Sequence, residues 1–413
     1  MRGPWKTARM RRRHLLALPP LAALAACTGP EPDPPTGPGT SDGGGASDAG
    51  GASDSGGSSD AGGAEPSPSP TPPSAAEQLL EELTDRELAG QLVLVGITAG
   101  STPDPALLTE HHVGGFFLLQ VWQEAAAVDA VISTAREQSR EDLPPLIAVD
   151  QEGGQVRMLR GEAARRTDSA EVLGAAGPDA VREAYGMIGE DLAARGIHLN
   201  LAPVADVVDP QLGGRNEPVG GLDRGFGTDP EHVGQCVRAA VEALAEQGVG
   251  STLKHFPGLG RVERNTDFSA EGIEDATTTL DDPFLDSFAA GIAARAEAVM
   301  LSSAIYPQLE PEVPAMFSSV VVTELLREQL GFTGVVMTDD IGAAKAVQSV
   351  PVAERATRLL DAGGDAVLTA DPSLAGQLVD AIQQWAEETP EQAERVRESA
   401  GRMLALKQAR GLL

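Results

Sequence analysis

Eight short apolar runs punctuate the chain, at 91–97, 114–119, 145–150, 199–206, 250–257, 298–304, 334–340 and 365–370. Each is followed by a segment with helical spacing; the Ala-, Glu- and Arg-rich stretches 179–195 and 231–247 are examples. Strands apolar on both faces are covered on both faces, as in a parallel sheet with helices outside. Eight such units fit a closed (β/α)8, TIM-type barrel. An open doubly wound sheet with extra strands stays open as the alternative, because periodicity does not separate the two. Thr84-x-x-Glu87 ahead of the first run reads as a capping box opening a helix. One helix is expected after the last run, and no second domain.

Several runs end in charged residues. One closes on Lys254-His255-Phe256-Pro257-Gly258, another on Thr338-Asp339-Asp340, and a third on Asp150 followed by Gln-Glu-Gly-Gly. Charged tips on buried strands mark the C-terminal face of a barrel as a site. Taken singly, each has a plainer reading. Asp at a strand-to-helix junction commonly caps the next helix. A lone His255 reads best as a core histidine bonded to backbone. Asp223 and Arg224 read as a surface ion pair.

Together the tips resemble glycoside hydrolase family 3, in particular its single-domain β-N-acetylglucosaminidases. Thr338-Asp339-Asp340 is similar to the family's Ser-Asp-Asp or Ser-Asp-Trp segment. The resemblance implies that Asp339 is the nucleophile of a retaining glycosidase, with Asp340 capping. It implies sugar-hydroxyl binding by Asp150 in Asp150-Gln-Glu-Gly-Gly154, by Arg224 in Asp223-Arg-Gly-Phe-Gly227, and by Lys254 and His255. Asn200 and Asp206 flank a segment that resembles the family's fourth strand and are read as structural.

The chain also departs from the family. Its N-acetylglucosaminidases continue Lys-His-Phe-Pro-Gly-His-Gly, four residues, then Asp-Ser-His, and that last His is the acid/base. Here the same count of residues leads to Asn265-Thr266-Asp267. Asp267 is therefore the positional candidate for acid/base, with Glu263 in the same loop as the second. A carboxyl group serves if burial or a neighbouring carboxylate raises its pKa. Met158 stands where the family often carries Arg, with Arg157 or Arg160 as compensation. Ser302-Ser303-Ala304 lacks a His common at that tip.

Six cationic residues (Arg2, Lys6, Arg9, Arg11, Arg12, Arg13) precede an apolar stretch at 15–26, as in a secretory signal. It ends Leu24-Ala25-Ala26-Cys27, which resembles a bacterial lipoprotein box and implies lipidation of Cys27. Residues 28–75, with four Ser-Asp-x-Gly-Gly-x repeats, hold too few large apolar residues for a core and read as a disordered tether. At about 5–6 Å × √n, such a tether spans roughly 35–40 Å. That leaves 76–413 as the barrel domain.

Of 61 acidic and 31 basic residues, seven and six precede residue 76, leaving 54 against 25 in the domain. Nucleic acid is not an expected partner. Neither a cofactor nor a metal is expected, since no ligand-spaced His or Cys set occurs. The expectation is a lipid-anchored, extracytoplasmic, monomeric glycosidase. It acts on a small saccharide, releasing terminal β-linked N-acetylhexosamine from peptidoglycan- or chitin-derived chains. A β-glucosidase or β-xylosidase of the same family, or a degenerate sugar-binding lipoprotein, remain the alternatives.

Overall fold

The structure, a computed structural model, describes residues 73–413. The expected signal segment 1–27 with Cys27, and all but the last three residues of the expected tether 28–75, lie outside the described residues. A helix over Ala75–Glu82 opens the described part, capped by Ser74.

Eight parallel strands follow: β1 Val93–Thr98, β2 Gly115–Leu119, β3 Leu146–Val149, β4 Leu199–Asn200, β5 Gly250–Phe256, β6 Ala298–Leu301, β7 Val335–Asp340 and β8 Ala366–Thr369. Each pairs with its neighbour in sequence, and β1 pairs with β8 through Val93↔Val367, Leu94↔Leu368 and Val95↔Thr369. That last pairing closes the barrel and excludes the open sheet. All eight C-terminal ends therefore lie on one face.

Local chemistry sets the helix limits. Thr84 and Glu87 make the expected capping box at Asp85–Gln91: the Glu87 amide donates to the Thr84 hydroxyl, and the Glu87 carboxylate accepts from the Thr84 amide. The two long helices start one residue earlier than expected, at Pro178–Ala194 and Pro230–Glu246. Proline suits a first helical turn, where its missing N–H has no partner to lose.

Three expectations are corrected. The run 199–206 is a strand only over its first two residues. Pro203 has no N–H for a ladder, and pairing resumes only at the isolated Val204–Lys254 bridge. No helix follows β3 directly; the chain first makes a hairpin of Gln151–Gly153 against Val156–Arg157. Gly153 and Gly154, at φ of 96° and 53°, make that turn. Two helices, not one, follow β8: Ala375–Ala386 and Pro390–Ala409. The break falls where Thr389 caps a new helix whose first residue is Pro390.

The opposite face carries buried polar chemistry that holds the barrel together. Asp365, fully buried ahead of β8, accepts from Arg327 at 2.5 Å, from Arg395, Arg402 and Ser399 at 3.0 Å, and from the Val336 amide at 2.8 Å. Lys407, also fully buried, donates to the Gln91 side chain at 2.6 Å.

Candidate active site

The C-terminal strand ends bring the expected residues into one cluster. Asp150 follows β3, Lys254 and His255 end β5, and Asp339 ends β7. Lys254 Nζ donates to Asp150 Oδ1 at 2.6 Å and lies 2.7 Å from Glu152 Oε1. Glu152 in turn receives both arms of Arg224, at 2.9 and 2.8 Å. Arg224 Nη2 also meets His255 Nε2 at 3.2 Å. Arginine can only donate, so His255 accepts at Nε2 and its proton sits on Nδ1. That proton is given to Asp206 Oδ2 at 2.8 Å. Asp206 Oδ1 accepts the amides of His255 and Leu259, fixing the strand end and the loop beyond it. The Lys254–His255 peptide bond is cis.

Glu152 is the residue sequence reasoning left without a role. It is almost wholly buried. Burial alone would raise its pKa, but Arg224 and then Lys254 outweigh that and hold it at about 2. For Lys254 burial disfavours the ammonium, and Asp150 and Glu152 more than offset it. The cluster is thus a lattice of opposite charges whose cations are already oriented. The available signal was alternation: residues two apart in an extended segment share a face, so Glu152 falls beside Asp150. Asp206, read as structural, is structural in a direct sense, since it positions His255.

The two proposed compensations for Met158 do not reach this cluster through hydrogen bonds. Arg157 donates to the Gly154 carbonyl at 2.7 Å, and Arg160 to the Arg157 and Gln155 carbonyls at 3.1 and 3.2 Å. Both brace the hairpin.

On the other side of the mouth, Asp339 Oδ1 accepts the Asp340 amide at 2.8 Å. Asp340 accepts the amides of Gly342, Ala343 and Ala370 at 2.8–2.9 Å, so it caps the turn and ties β7 to β8. Burial raises its pKa against the pull of those amides.

The loop after β5 crosses the mouth between these groups. Its base is held firmly. Asn216 donates to the carbonyls of Leu259 and Val262, Tyr306 to that of Gly258, and Arg261 pairs with Asp282 at 2.8 Å while stacking on Phe284. Gly260 passes so close to Val207 that a Cβ there would collide with the Val207 carbonyl. Farther on, the Lys345 amide donates to the Asp267 carbonyl and the Ala346 amide to the Thr266 carbonyl, both at 3.2 Å. The loop is thereby docked on the segment that follows Asp339 and Asp340.

Docking places Asp267 in the field of Asp339. The residue still meets solvent at the mouth, while protein crowds its carboxyl. This desolvation, then the charge of Asp339 and more weakly that of Asp340, push its pKa up to about 6, against the pull of Arg224 and His255. Glu263 is exposed, and its backbone carbonyl accepts from the Glu217 amide. The arrangement offers the Asp339 carboxyl group, a second carboxyl group able to hold a proton near neutrality, and a set of oriented donors and acceptors at the same mouth.

Residues 84–406 match the family model described as the glycosyl hydrolase family 3 N terminal domain. A beta-hexosaminidase of Xanthomonas oryzae pv. oryzae is 39% identical over 246 residues, which is 58% of this chain and 71% of that protein. Among solved structures, the beta-N-acetylhexosaminidase from Beutenbergia cavernae is 41% identical with a TM-score of 0.75, covering 79% of this chain and 99% of the other. A family 3 beta-N-acetylglucosaminidase from Paenibacillus is 32% identical with a TM-score of 0.70, covering 80% of this chain and 63% of the other.

Proposed function

The chain belongs to glycosyl hydrolase family 3, and from that premise we propose how its residues work. It is an exo-acting glycosidase that releases terminal N-acetylhexosamine by hydrolysing O-glycosyl bonds. The mechanism we propose is a retaining double displacement on a β-linked sugar. Asp339 attacks the anomeric carbon, and the glycosidic bond breaks as Asp267 gives its proton to the leaving oxygen. Asp267, now ionised, takes a proton from water. That water displaces Asp339 and frees the sugar. Asp150, Arg224, Lys254 and His255 hold the sugar, and Glu152 keeps two of the cations in place.

One observation supports this reading: the loop after β5 is bonded to the segment after β7, and the charge of Asp339 is felt at Asp267. A proton donor working near neutrality needs such a raised pKa, and a nearby anion supplies part of the shift. Peptidoglycan- and chitin-derived saccharides are the proposed substrates. The test is trapping: a 5-fluoro glycosyl fluoride of N-acetylglucosamine should glycosylate Asp339 with loss of fluoride, and a label on any other carboxylate would overturn the assignment.

The proposed location is outside the cytoplasm, with Cys27 acylated and residues 28–75 as tether. Support comes from the sequence of the first 75 residues. Among the described residues, no helix is long and apolar enough to cross a membrane.

A further inference from the structure

Phe268 is the most exposed large apolar side chain among the described residues, at 62%. Of the chain's nine phenylalanines it is the only one exposed; the others are buried or half-buried. Phe256 and Phe288, for instance, pack edge to face at 5.1 Å. Phe268 forgoes such packing. It directly follows Asp267. Its amide donates to the Asn265 carbonyl at 3.1 Å, as does that of Ser269 at 3.0 Å, while the Asp267 amide donates to the Asn265 side chain at 2.9 Å. This tight turn, together with the bonds from Lys345 and Ala346 to the two preceding carbonyls, fixes the backbone that carries Phe268 on the loop over the mouth.

We infer that Phe268 is the platform of a leaving-group subsite, stacking on the C–H face of the sugar ring that departs. The inference rests on the reading of Asp267 as proton donor. A donor must come within hydrogen-bond reach of the glycosidic oxygen, and the leaving ring starts at that oxygen. Consecutive α-carbons are about 3.8 Å apart, so the residue after the donor stands beside the leaving ring. A β-linked pyranose offers an apolar C–H face there, and a phenyl ring offers a flat apolar surface with no polar atom to satisfy. The chemistry of the two halves of the site then differs. Oriented charges read the hydroxyls of the sugar that is retained, whereas an aromatic surface grips the leaving sugar through its ring and tolerates varied substituents.

The test compares two substrates on the full-length protein. N,N′-diacetylchitobiose leaves as a sugar ring. N-acetyl-β-glucosaminyl fluoride leaves as a bare ion that has no ring and needs little protonation. Phe268→Ala should lower kcat/KM on the disaccharide by about five- to tenfold, mostly through KM. The loss on the fluoride should stay under about twofold by the same reasoning. Phe268→Trp should retain disaccharide turnover. Equal losses on both substrates would mean that Phe268 only supports the loop, and no loss on either would mean that nothing stacks there; both results overturn the subsite. Unchanged kinetics with loss of a dimer or of binding to lipid vesicles would assign the ring to another partner and also overturn it. Failure of the underlying reading looks different: Asp267→Ala would then turn over the disaccharide as fast as the wild type.

Discussion

The carbonyl of Asp267 accepts a hydrogen bond from the amide of Lys345 at 3.2 Å. The proposed proton donor is thus fastened to the turn that follows the proposed nucleophile. Two segments far apart in sequence become one unit, and the donor's pKa is raised by desolvation and then by the charge of Asp339. In the free enzyme Asp267 must be protonated to act as acid. With its pKa at about 6, kcat/KM should fall as pH rises through that value. Asp267→Ala should remove this alkaline limb and lower kcat/KM on disaccharides by about 10²–10⁴-fold. Activated aryl glycosides should suffer less, and added azide should restore turnover, since a small anion needs no general base. A pH–rate profile unchanged by the substitution would contradict the role.

Glu152 is predicted to matter as much as the residues it holds. Glu152→Gln leaves Lys254 and Arg224 with half their countercharge in a buried setting. Removing one partner of a buried pair costs about 3–5 kcal/mol. Urea unfolding should register most of that, and KM for the disaccharide should rise because both cations lose their orientation. Wild-type stability and KM in this variant would refute the lattice.

Lys407 makes a pH-dependent prediction at the other end of the barrel. Burial depresses its pKa to about 7, against about 10.4 in an unfolded chain. Between those values the unfolded chain binds a proton that the folded one lacks, so the site's contribution to stability rises with pH. Toward pH 7 and below, the folded protein must carry a buried ammonium and is destabilised. Lys407→Met abolishes that slope. It also strands the Gln91 carbonyl, at a cost that does not vary with pH. The variant's stability relative to wild type should therefore decline steadily from pH 7 to pH 10 in urea titrations. A constant difference would show that Lys407 keeps an ordinary pKa.

Cys27 gives a prediction for the cell. Full-length protein should fractionate with membranes, and Cys27→Ala should release it. Each buried CH₂ of an acyl chain adds about 0.8 kcal/mol, so more than one chain holds firmly. Wild-type protein found wholly in the medium with its N-terminal region intact would exclude the anchor.

Much of this was legible in the sequence because strands buried on both faces are apolar without interruption, and eight such runs leave little choice of architecture. Asp340 was legible as a cap, since carboxylates at strand ends bond the amides that follow. The two-residue length of β4 was hidden by apolar residues that continue past Pro203, where only the isolated Val204–Lys254 bridge forms. The hairpin after β3 was hidden because its two strands are three and two residues long, too short to show alternation. The split after β8 was hidden because no glycine separates the two helices, and Thr389-Pro390 marks it. Counting residues points to Asp267 as a candidate, but no count reveals the path of a loop. Its docking on the segment after Asp340 depends on backbone bonds from Lys345 and Ala346, which are made by the main chain whatever the side chains.

Asp339 is proposed to form a covalent bond to the sugar. The most direct measurement is peptide mass mapping after inactivation by the 5-fluoro glycosyl fluoride of N-acetylglucosamine. A single adduct on Asp339 is predicted, absent in a folded but inactive Asp339→Asn variant. An adduct on another residue, or full turnover by Asp339→Asn, would contradict the account.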